Sequence, residues 1–363
     1  MSLFLSSKFL LIFTIIILSI MLYKVFIRPF LFLLQPESAH HLSLFSLKLV
    51  FKIPFLRRLI SSIYCVNNKK LERKLFGLLF KNPVGLAAGF DKDAKVFNEF
   101  SSFGFGFIEI GTVTPLPQAG NVKPRLFRLR EDEAIVNRMG FNNEGVEKVV
   151  KRLRKKYTDI IIGGNIGKNK ITPNEFADKD YLMCFKKIAP HVDYLVLNIS
   201  SPNTPDLVEL QNKSYLHNLL SKIQSLNLNK YNKPVLIKIS PDLNFSQIDE
   251  VLELVHQFKI DGIIATNTTS KRNSLITSKN IIDDIGNGGL SGQPIYARSK
   301  SVVSYISEKT NGSLPIIAVG GIVKSEDAVE MLNAGASLVQ IYTGLIYTGP
   351  TLVKEINKKL LQA

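Results

Sequence analysis

Cysteine is scarce in this sequence of 363 residues, which contains only Cys65 and Cys184. Two cysteines are too few for a disulfide framework, so we expect the folded part of the chain in a reducing compartment. No group of Cys and His residues has the spacing of metal ligands, and we predict no metal site. A P-loop is also absent, as is a Gly-x-Gly-x-x-Gly sequence at a strand-to-helix turn, which argues against a dinucleotide cofactor.

Acidic residues are rare near the N-terminus. Residues 1–81 contain twelve Lys and Arg but only two Asp and Glu, within a chain whose formal net charge is +16. A basic excess beside an apolar N-terminus indicates attraction to anionic lipid headgroups, at roughly 1 kcal/mol per basic side chain near the surface. A nucleic-acid-binding protein would instead show a basic patch on its folded domain, so we predict no nucleic-acid partner. Alternatively, these basic residues only keep the protein soluble.

Residues 9–23 form an apolar run of 15 residues without charge, between Lys8 and Lys24. As a helix this run spans roughly 22 Å, which is short of a bilayer core of about 30 Å. Apolar character resumes over 25–34 and lysine side chains can snorkel, so a tilted membrane span and an interfacial anchor both stay open. No small-residue cleavage site follows, which argues against a signal peptide. The basic residues that follow predict that the bulk of the protein stays on the cytoplasmic side.

Two short amphipathic helices are predicted over 36–64, with Pro36 and Pro54 in their first turns. They either cap the folded domain or form a hydrophobic port to a membrane, and the pattern alone leaves both open. The sequence thus predicts three parts: an apolar membrane anchor over 1–35, a helical membrane-access extension with its linker over 36–81, and a folded domain over 82–363.

Short apolar runs that end in polar or glycine residues recur from residue 82 onward. Continuous apolar runs indicate strands that are buried on both faces. Eight such strands alternating with helices predict an α/β fold, a (β/α)8 TIM barrel preceded by the anchor and the two-helix extension. The predicted strands are 84–89, 107–112, 160–166, 194–199, 235–239, 262–266, 316–319 and 338–342. The predicted helices are 146–157, 175–189, 246–258 and 325–334.

Glycine and lysine residues stand near the ends of these strands, where a barrel of this kind carries its active site. Gly320 and Gly321, and Gly344 after Thr343, allow a close backbone approach to a phosphate group. The helix that starts at Ser325 adds the positive end of its dipole. A mononucleotide such as FMN therefore fits better than a dinucleotide. Lys238, on a central strand, would stabilise the anionic reduced ring of such a cofactor. A structural ion pair is the alternative for this lysine.

Several asparagines also follow the predicted strands. Each side-chain amide is both donor and acceptor, so converging amides suit a planar heterocycle with N–H and C=O edges. Lys92 adds charge for an anionic substituent, and together these features suit a pyrimidine carboxylate. Each asparagine alone could equally form a turn or a cap. No His or Glu ends a strand as an obvious general base, but the loop 198–203 offers two hydroxyls. The asparagines are Asn137, Asn198, Asn203 and Asn267.

Ten stretches of the sequence, taken in order, closely resemble the quinone-dependent class of dihydroorotate dehydrogenases. The resemblance runs from about Arg28 to the C-terminus, and the segment PESAH (36–40) resembles the membrane-binding extension of this class. The whole set is very specific, although VGGI alone is weak. The stretches are NPVGLAAGFDKD (82–93), FGFIEIGTVTPLPQAGN (105–121), KPRLFRL (123–129), NRMGFNNEG (137–145), NIGKNK (165–170), NISSPNTP (198–205), ATNTT (265–269), GGLSG (288–292), VGGI (319–322) and LVQIYTG (338–344).

The resemblance implies a flavin-dependent oxidoreductase of de novo pyrimidine biosynthesis. Such an enzyme oxidises (S)-dihydroorotate to orotate, with one FMN per chain as hydride acceptor and a membrane quinone as final acceptor. Ser201 matches the catalytic base of the class, with a proton relay through Thr204 near Phe141. The implied FMN residues are Ala88, Gly89, Phe90, Asp91, Lys92, Thr112, Asn165, Asn198, Lys238, Thr266, Gly292, Gly321, Tyr342 and Thr343. The implied dihydroorotate residues are Lys92, Asn137, Arg138, Met139, Gly140, Phe141, Asn198, Asn203, Asn267 and Thr268. The implied quinone tunnel includes His40, Arg128 and Tyr342.

Three other interpretations agree less well with the sequence. A cytosolic-type enzyme that uses fumarate or NAD would carry Cys where Ser201 stands. A flavin barrel that reduces uridine in tRNA would add an RNA-binding domain, for which 345–363 leaves no room. A non-catalytic, membrane-tethered barrel would have no need of Ser201 and Lys92. We expect the protein at the cell membrane, peripheral or N-terminally anchored on the cytoplasmic face (at the inner mitochondrial membrane in a eukaryote), with no obligate protein partner.

Overall fold

The computed structural model describes residues 22–203, 207–273 and 275–362. The predicted apolar run 9–23 lies almost wholly outside the described residues, and so does Thr204 of the implied proton relay. Within the described ranges, no helix combines the length and the apolar character needed to cross a membrane.

The N-terminal extension consists of a π-helical turn, Leu22–Ile27, and three helices. These are α1 (Arg28–Leu33), α2 (Pro36–Val50) and α3 (Pro54–Tyr64). The two helices predicted over 36–64 are therefore present. Each begins at its proline, which has no N–H to leave unpaired in a first turn.

Polar contacts hold this extension against the rest of the chain. The Tyr23 hydroxyl donates to the Ile346 carbonyl at 2.7 Å, and Glu37 accepts two hydrogen bonds from the Arg125 guanidinium. Because Arg125 is buried and also donates to loop carbonyls, it fixes the start of α2 to the folded domain.

A hairpin of β1 (Arg73–Leu75) and β2 (Leu78–Phe80) leads into eight parallel strands that close into a barrel. The predicted (β/α)8 fold is thus confirmed, and all eight predicted strands are present. The barrel strands are β3 (Val84–Leu86), β4 (Phe107–Val113), β7 (Ile161–Ile166), β8 (Tyr194–Asn198), β9 (Val235–Ile239), β10 (Gly262–Ala265), β12 (Ile316–Val319) and β13 (Leu338–Ile341). Around the barrel their order is β10-β12-β13-β3-β4-β7-β8-β9.

Aromatic side chains close the N-terminal end of the barrel. The rings of Phe80 and Phe107 meet edge to face with centroids 5.3 Å apart, and Tyr194 packs beside them. Two strand glycines make room: a Cβ on Gly85 would lie 2.3 Å from the Phe107 ring, and one on Gly163 would lie 2.2 Å from the Tyr194 ring. Because this end is filled, an open site can form only at the opposite end of the strands.

Helices surround the barrel. The four predicted helices are present as α5 (Val146–Leu153), α6 (Ala177–Ile188), α8 (Phe245–Gln257) and α11 (Ser325–Asn333). The other helices are α4 (Phe97–Phe100), α7 (Lys213–Lys230), α9 (Lys279–Ile285), α10 (Tyr296–Lys309), α12 (Thr343–Thr348) and α13 (Thr351–Leu360).

A second, three-stranded antiparallel sheet lies at the mouth of the barrel. It consists of β5 (Leu126–Leu129), β6 (Ala134–Asn137) and β11 (Gly289–Gly292), with β6 in the centre. The sequence analysis did not predict it, because β11 joins its partners across about 150 residues. This sheet brings the end of β6 and the end of β11 to the same side of the open mouth.

Candidate active site

A cavity opens at the C-terminal ends of the barrel strands, where the sequence places the active site. The predicted residues that line it are Ala88, Gly89, Lys92, Thr112, Asn137, Met139, Gly140, Phe141, Asn198, Ser201, Asn203, Lys238, Thr266, Asn267, Thr268, Gly292, Gly321, Tyr342 and Thr343. The sequence analysis did not assign the further lining residues Ala87, Ser291, Ile295, Val319, Ile322, Gln340 and Ile341. Gln340 carried a signal that could have been used, since it is the one polar residue inside the apolar strand β13.

Four of the residues predicted to bind FMN or dihydroorotate lie outside this lining. Phe90 and Asp91 face a second cavity, described below. Asn165 is fully buried beneath the cavity wall. Arg138 turns away and donates to backbone carbonyls, including that of Pro124 at 3.1 Å. The binding roles of these four residues therefore stay predictions.

Glycines form one smooth wall of the cavity. Gly320 and Gly321 have φ angles of 129° and 79°, a region of backbone conformation that favours glycine. A Cβ would lie 2.3 Å from the Ser299 Oγ at the first position and 2.5 Å from the Tyr296 Cβ at the second. Both glycines line the cavity and have no side chain of their own beside it, an arrangement that suits the close approach of a phosphate group.

The helix that starts at Ser325 offers fewer free donors than the sequence analysis assumed. The Asp327 carboxylate accepts hydrogen bonds from the backbone N–H groups of Val323 and Lys324, both at 2.9 Å. These two donors are occupied by Asp327, which leaves Gly320 and Gly321 as the candidate contacts for the predicted phosphate group.

Lys238 provides an unpaired cation in the floor of the cavity. Its side chain is buried on β9, and its ammonium group has no hydrogen-bond partner among the described residues. Burial lowers the pKa of this lysine, and the charge of Glu109 acts in the opposite direction. The ion pair considered as an alternative is absent within the described residues, because no carboxylate lies within salt-bridge distance. Such a group favours an anionic ligand above it.

Side-chain amides surround the other half of the cavity. The Asn203 Nδ2 donates to the Asn137 Oδ1 at 3.0 Å, and the Asn267 Nδ2 donates to the Asn198 Oδ1 at 3.2 Å. The Asn198 Nδ2 in turn donates to the Thr112 hydroxyl at 2.8 Å. The structure thus brings all four predicted asparagines together, although they come from separate segments of the chain.

Lys92 and Ser201 complete the polar lining. Burial, followed by the charge of Arg125, lowers the pKa of Lys92 to about 8, and its ammonium group donates to Asn142. Ser201 is buried, and its hydroxyl accepts a hydrogen bond from the Asn203 N–H at 3.3 Å. No His, Asp or Glu among the described residues is hydrogen-bonded to Ser201. Any proton removal at this position therefore depends on the serine and its loop.

A second cavity of about 810 Å³ lies between the N-terminal extension and the barrel. Its wall is largely apolar and includes Leu42, Leu44 and Leu47 of α2. Gly89, Lys92, Met139 and Tyr342 line both cavities, so the two share one wall. Such a volume lies within the usual range for sites that bind small molecules.

The three residues predicted for a quinone tunnel all line this second cavity. Burial, followed by the charge of Lys92, lowers the pKa of His40 to about 4, so this imidazole is neutral near pH 7. The Arg128 guanidinium donates to the carbonyls of Leu34 at 2.9 Å and Leu31 at 3.2 Å. Arg128 is thus already engaged by the end of α1, which the sequence analysis did not foresee.

Comparison with known proteins decides the family. A model of the family described as "Dihydroorotate dehydrogenase" matches residues 70–363. A Christiangramia forsetii protein named "Dihydroorotate dehydrogenase (quinone)" is 55% identical over 343 residues, which cover 94% of this chain and 99% of that protein. A protein of the same name from Thermosynechococcus vestitus is 49% identical and covers 85% of each chain. The chain belongs to the dihydroorotate dehydrogenase family.

Solved structures agree with this assignment. An Eimeria tenella DHODH in complex with ferulenol superposes with a TM-score of 0.80 at 36% identity, covering 90% of this chain and 91% of that one. The ligand-free Eimeria tenella structure gives a TM-score of 0.81 at 37% identity, covering 90% and 94%. The dihydroorotate dehydrogenase match at 70–363 includes every residue that lines the barrel-mouth cavity, whereas α1 to α3 precede it.

Proposed function

We propose that this protein oxidises (S)-dihydroorotate to orotate and passes the electrons to a membrane quinone, as a step of de novo pyrimidine biosynthesis. The observation that carries the proposal is the shared wall between a polar cavity and an apolar one. A hydrophilic donor and a hydrophobic acceptor can then react with one cofactor from two sides. The relatives named "Dihydroorotate dehydrogenase (quinone)" support the same pair of substrates.

The residues of the polar cavity fit FMN, the flavin that we propose for this site. Gly320 and Gly321 line the cavity and would hold the phosphate, and the Lys238 ammonium group, which has no hydrogen-bond partner among the described residues, would face the ring. No Gly-x-Gly-x-x-Gly turn is present to hold a dinucleotide. When bound, FMN supplies the acceptor for the hydride that leaves C6 of dihydroorotate.

Substrate binding falls to the amide cluster and to Lys92. The amides of Asn137, Asn203 and Asn267 present donors and acceptors to the edges of the pyrimidine ring. Lys92 pairs with the carboxylate, and the charge of this anion favours the protonated lysine although burial alone lowers its pKa. Together these groups hold the ring in one orientation.

Ser201 takes the proton from C5 of dihydroorotate while the hydride leaves C6. Loss of one proton and one hydride converts the substrate to orotate, so the atoms balance. Serine is a weak base, and its reaction depends on a position that excludes bulk water and is held by the surrounding loop. The buried hydroxyl and its hydrogen bond from Asn203 agree with such a position.

The apolar cavity is the proposed site of the quinone. Its polar groups include the neutral imidazole of His40 and the guanidinium of Arg128 at one side. Tyr342 separates the two cavities, with its ring 5.4 Å from that of Phe90. A quinone head group that enters between α2 and α3 would therefore stop at the wall shared with the flavin site.

Membrane attachment is the proposed role of the N-terminal part. We propose residues 1–35 as an anchor on the cytoplasmic face, 36–81 as the access extension and 82–363 as the catalytic barrel. Large apolar side chains on α2 and α3 are exposed, among them Phe45, Leu49 and Phe55. Deletion of 1–27 should weaken sedimentation with membranes and preserve orotate production; equal sedimentation of both forms would place the anchor in α2 and α3.

An acceptor panel tests the proposed function. The purified, flavin-containing protein is mixed with dihydroorotate and, in turn, menaquinone, ubiquinone, fumarate or NAD, and orotate is measured by its absorbance. We expect orotate with the quinones and none with fumarate or NAD. Turnover with fumarate or NAD at the quinone rate, or no orotate with any acceptor, contradicts the proposal.

A further inference from the structure

A carboxylate lies inside the barrel beneath the polar cavity. Glu109 points from β4 into the barrel and has an exposed fraction of 0%. Its Oε1 accepts from the Asn165 Nδ2 at 2.7 Å and its Oε2 accepts from the Gln340 Nε2 at 2.6 Å. It forms no salt bridge with any described residue. A buried charge of this kind is destabilising unless its environment is arranged to satisfy it, so its presence calls for a reason.

The carboxylate fixes the direction of a chain of hydrogen bonds. Because both Glu109 oxygens accept, Asn165 must turn its NH2 group toward them and its Oδ1 toward Thr112. The Thr112 hydroxyl has a single proton, which it donates to the Asn165 Oδ1 at 2.6 Å. It can therefore only accept from the Asn198 Nδ2, at 2.8 Å. The Asn198 Oδ1 is left to accept from the Asn267 Nδ2, at 3.2 Å.

The chain of hydrogen bonds ends in residues that line the polar cavity. Thr112, Asn198 and Asn267 line the polar cavity, whereas Glu109 and Asn165 lie below it. A side-chain amide can be reversed by a half turn with almost no change in shape, and reversal exchanges its donor for its acceptor. A group that can only donate or only accept must therefore select one direction. The Thr268 N–H does so for Asn267, whose Oδ1 accepts from it at 2.9 Å, and the Ser200 N–H lies 3.4 Å from the Asn198 Oδ1. Glu109, which has no donor of its own, does so for Asn165 and Thr112 and, through Thr112, for the Asn198 Nδ2.

We propose that Glu109 is a positioning residue that sets the donor and acceptor direction of the amides at the barrel mouth, and thereby the affinity of the cavity for the pyrimidine ring. This inference rests on the proposed function and adds a residue that lines neither of the two cavities. Glu109 acts through the hydrogen bonds that run from Asn165 through Thr112 to Asn198, which lines the cavity together with Asn267. It also opposes the effect of burial on the pKa of Lys238.

The variant Glu109→Gln tests this role, because glutamine has the same shape but can both donate and accept. Both directions then become possible from Asn165 through Thr112 to Asn198, and orotate should bind about tenfold more weakly in calorimetry of the flavin-containing protein. The KM for dihydroorotate should rise by a similar factor with a smaller change in kcat. The matched control is Asp178→Asn, which removes a buried carboxylate that pairs with Lys222 between α6 and α7. This control should bind orotate like the unaltered protein.

A second substitution should rescue the first. In the double variant Glu109→Gln, Asn165→Asp, the carboxylate introduced at position 165 can only accept. Thr112 must therefore donate to this carboxylate again and accept from Asn198. Orotate affinity should return toward that of the unaltered protein, which a merely structural role of Glu109 does not explain. Unchanged orotate affinity in Glu109→Gln, or a double variant as weak as the single one, overturns the proposal.

Two further measurements keep the outcome clear. Thr112→Val interrupts the chain of hydrogen bonds and leaves the Glu109 carboxylate in place. This variant therefore provides the test if Glu109→Gln does not fold. It should also weaken orotate binding about tenfold, and normal affinity overturns the proposal. Dihydroorotate turnover by the unaltered protein is measured alongside. Its absence contradicts the proposed function, whereas normal turnover with unchanged affinity in Glu109→Gln contradicts only the role of Glu109.

Discussion

Replacing Leu42 with arginine should separate the two half-reactions that the proposed function requires. Leu42 lies on α2 and lines the apolar cavity, with 38% of its surface exposed. A guanidinium at this position brings a hydrated charge into a cavity that a quinone must enter. We expect slower oxidation of the reduced protein by a long-chain quinone. Flavin reduction by dihydroorotate should stay unchanged, because the amides and Ser201 line the other cavity.

The size of the effect follows from the apolar surface that Leu42 contributes. Full burial of a leucine side chain is worth about 1.5–3 kcal/mol. A quinone can cover at most the 38% of Leu42 that is exposed, which corresponds to about 0.6–1.1 kcal/mol. That free energy corresponds to about 3- to 7-fold weaker quinone binding.

Phe45 supplies a matched control on the same helix. Both residues belong to the first amphipathic helix predicted over 36–64, but Phe45 does not line the cavity and is 67% exposed. Phe45→Arg adds the same charge three residues further on, so its effect on membrane attachment should be comparable. Because Phe45 faces outward, quinone oxidation of this variant should stay within about twofold of the unaltered rate in detergent micelles.

Stopped-flow absorbance under anaerobic conditions measures the two steps separately. The first mixing reduces the flavin with dihydroorotate, and the second adds quinone. Equal slowing of quinone oxidation by Leu42→Arg and Phe45→Arg would refute the reasoning, since only one of the two residues lines the cavity. Slow reduction by dihydroorotate in Leu42→Arg would also refute it, because α2 would then serve the polar site rather than the acceptor.

Three further predictions concern the polar site and the N-terminal extension. Ser201→Ala should bind orotate normally and reduce its flavin roughly 10²-fold or more slowly in stopped flow, as expected for loss of a general base. Lys238→Ala should be purified with less flavin, measured by absorbance, because the unpaired ammonium group in the cavity floor is lost. Burial raises the pKa of Glu37, but Arg125 and Lys123 outweigh it and lower the pKa to about 2. The contribution of this cluster to the free energy of unfolding is therefore complete above pH 4.5 and is lost as the pH falls toward about 2.

Each of these predictions has an outcome that contradicts it. Near-normal flavin reduction in Ser201→Ala would show that another group removes the proton. Full flavin content and an unchanged reduction potential in Lys238→Ala would show that the lysine serves the barrel alone. For Glu37, urea unfolding is compared with Glu37→Gln at pH 3 and pH 6. A stability difference between the two proteins that does not grow with pH would contradict the assigned pKa.

The barrel could be predicted from the sequence because its strands are continuous apolar runs with polar ends. That pattern depends only on neighbouring residues. The three-stranded sheet was missed because β11 and β6 pair Gly289 with Asn137, a contact that no local pattern contains. Arg138 stays a predicted substrate residue, and the sequence did not indicate that its side chain donates to backbone carbonyls. Its direction depends on a loop whose shape the sequence does not reveal.

Glu109 shows a second limit of the sequence. It was quoted within the stretch FGFIEIGTVTPLPQAGN but received no role, because it is neither at a strand end nor near another charged residue in the chain. A polar residue inside a strand that is buried on both faces is a signal in itself. Gln340 interrupts β13 in the same way, and the two side chains are hydrogen-bonded to each other.

One end of the barrel contributes mainly to stability, and the other end provides the site for ligand binding. At the N-terminal end, Phe80, Phe107 and Tyr194 fill the interior with well-packed rings, which favours the folded state. At the opposite end, Glu109 and Lys238 are buried without an ion pair between them, which opposes it. A barrel selected for stability alone would have no reason to keep these charges. Their presence beneath a cavity of amides is explained if an anionic, hydrogen-bonding ligand binds there. Lys238 would then stabilise the negative charge of the ligand, and Glu109 would orient the amides that bind it.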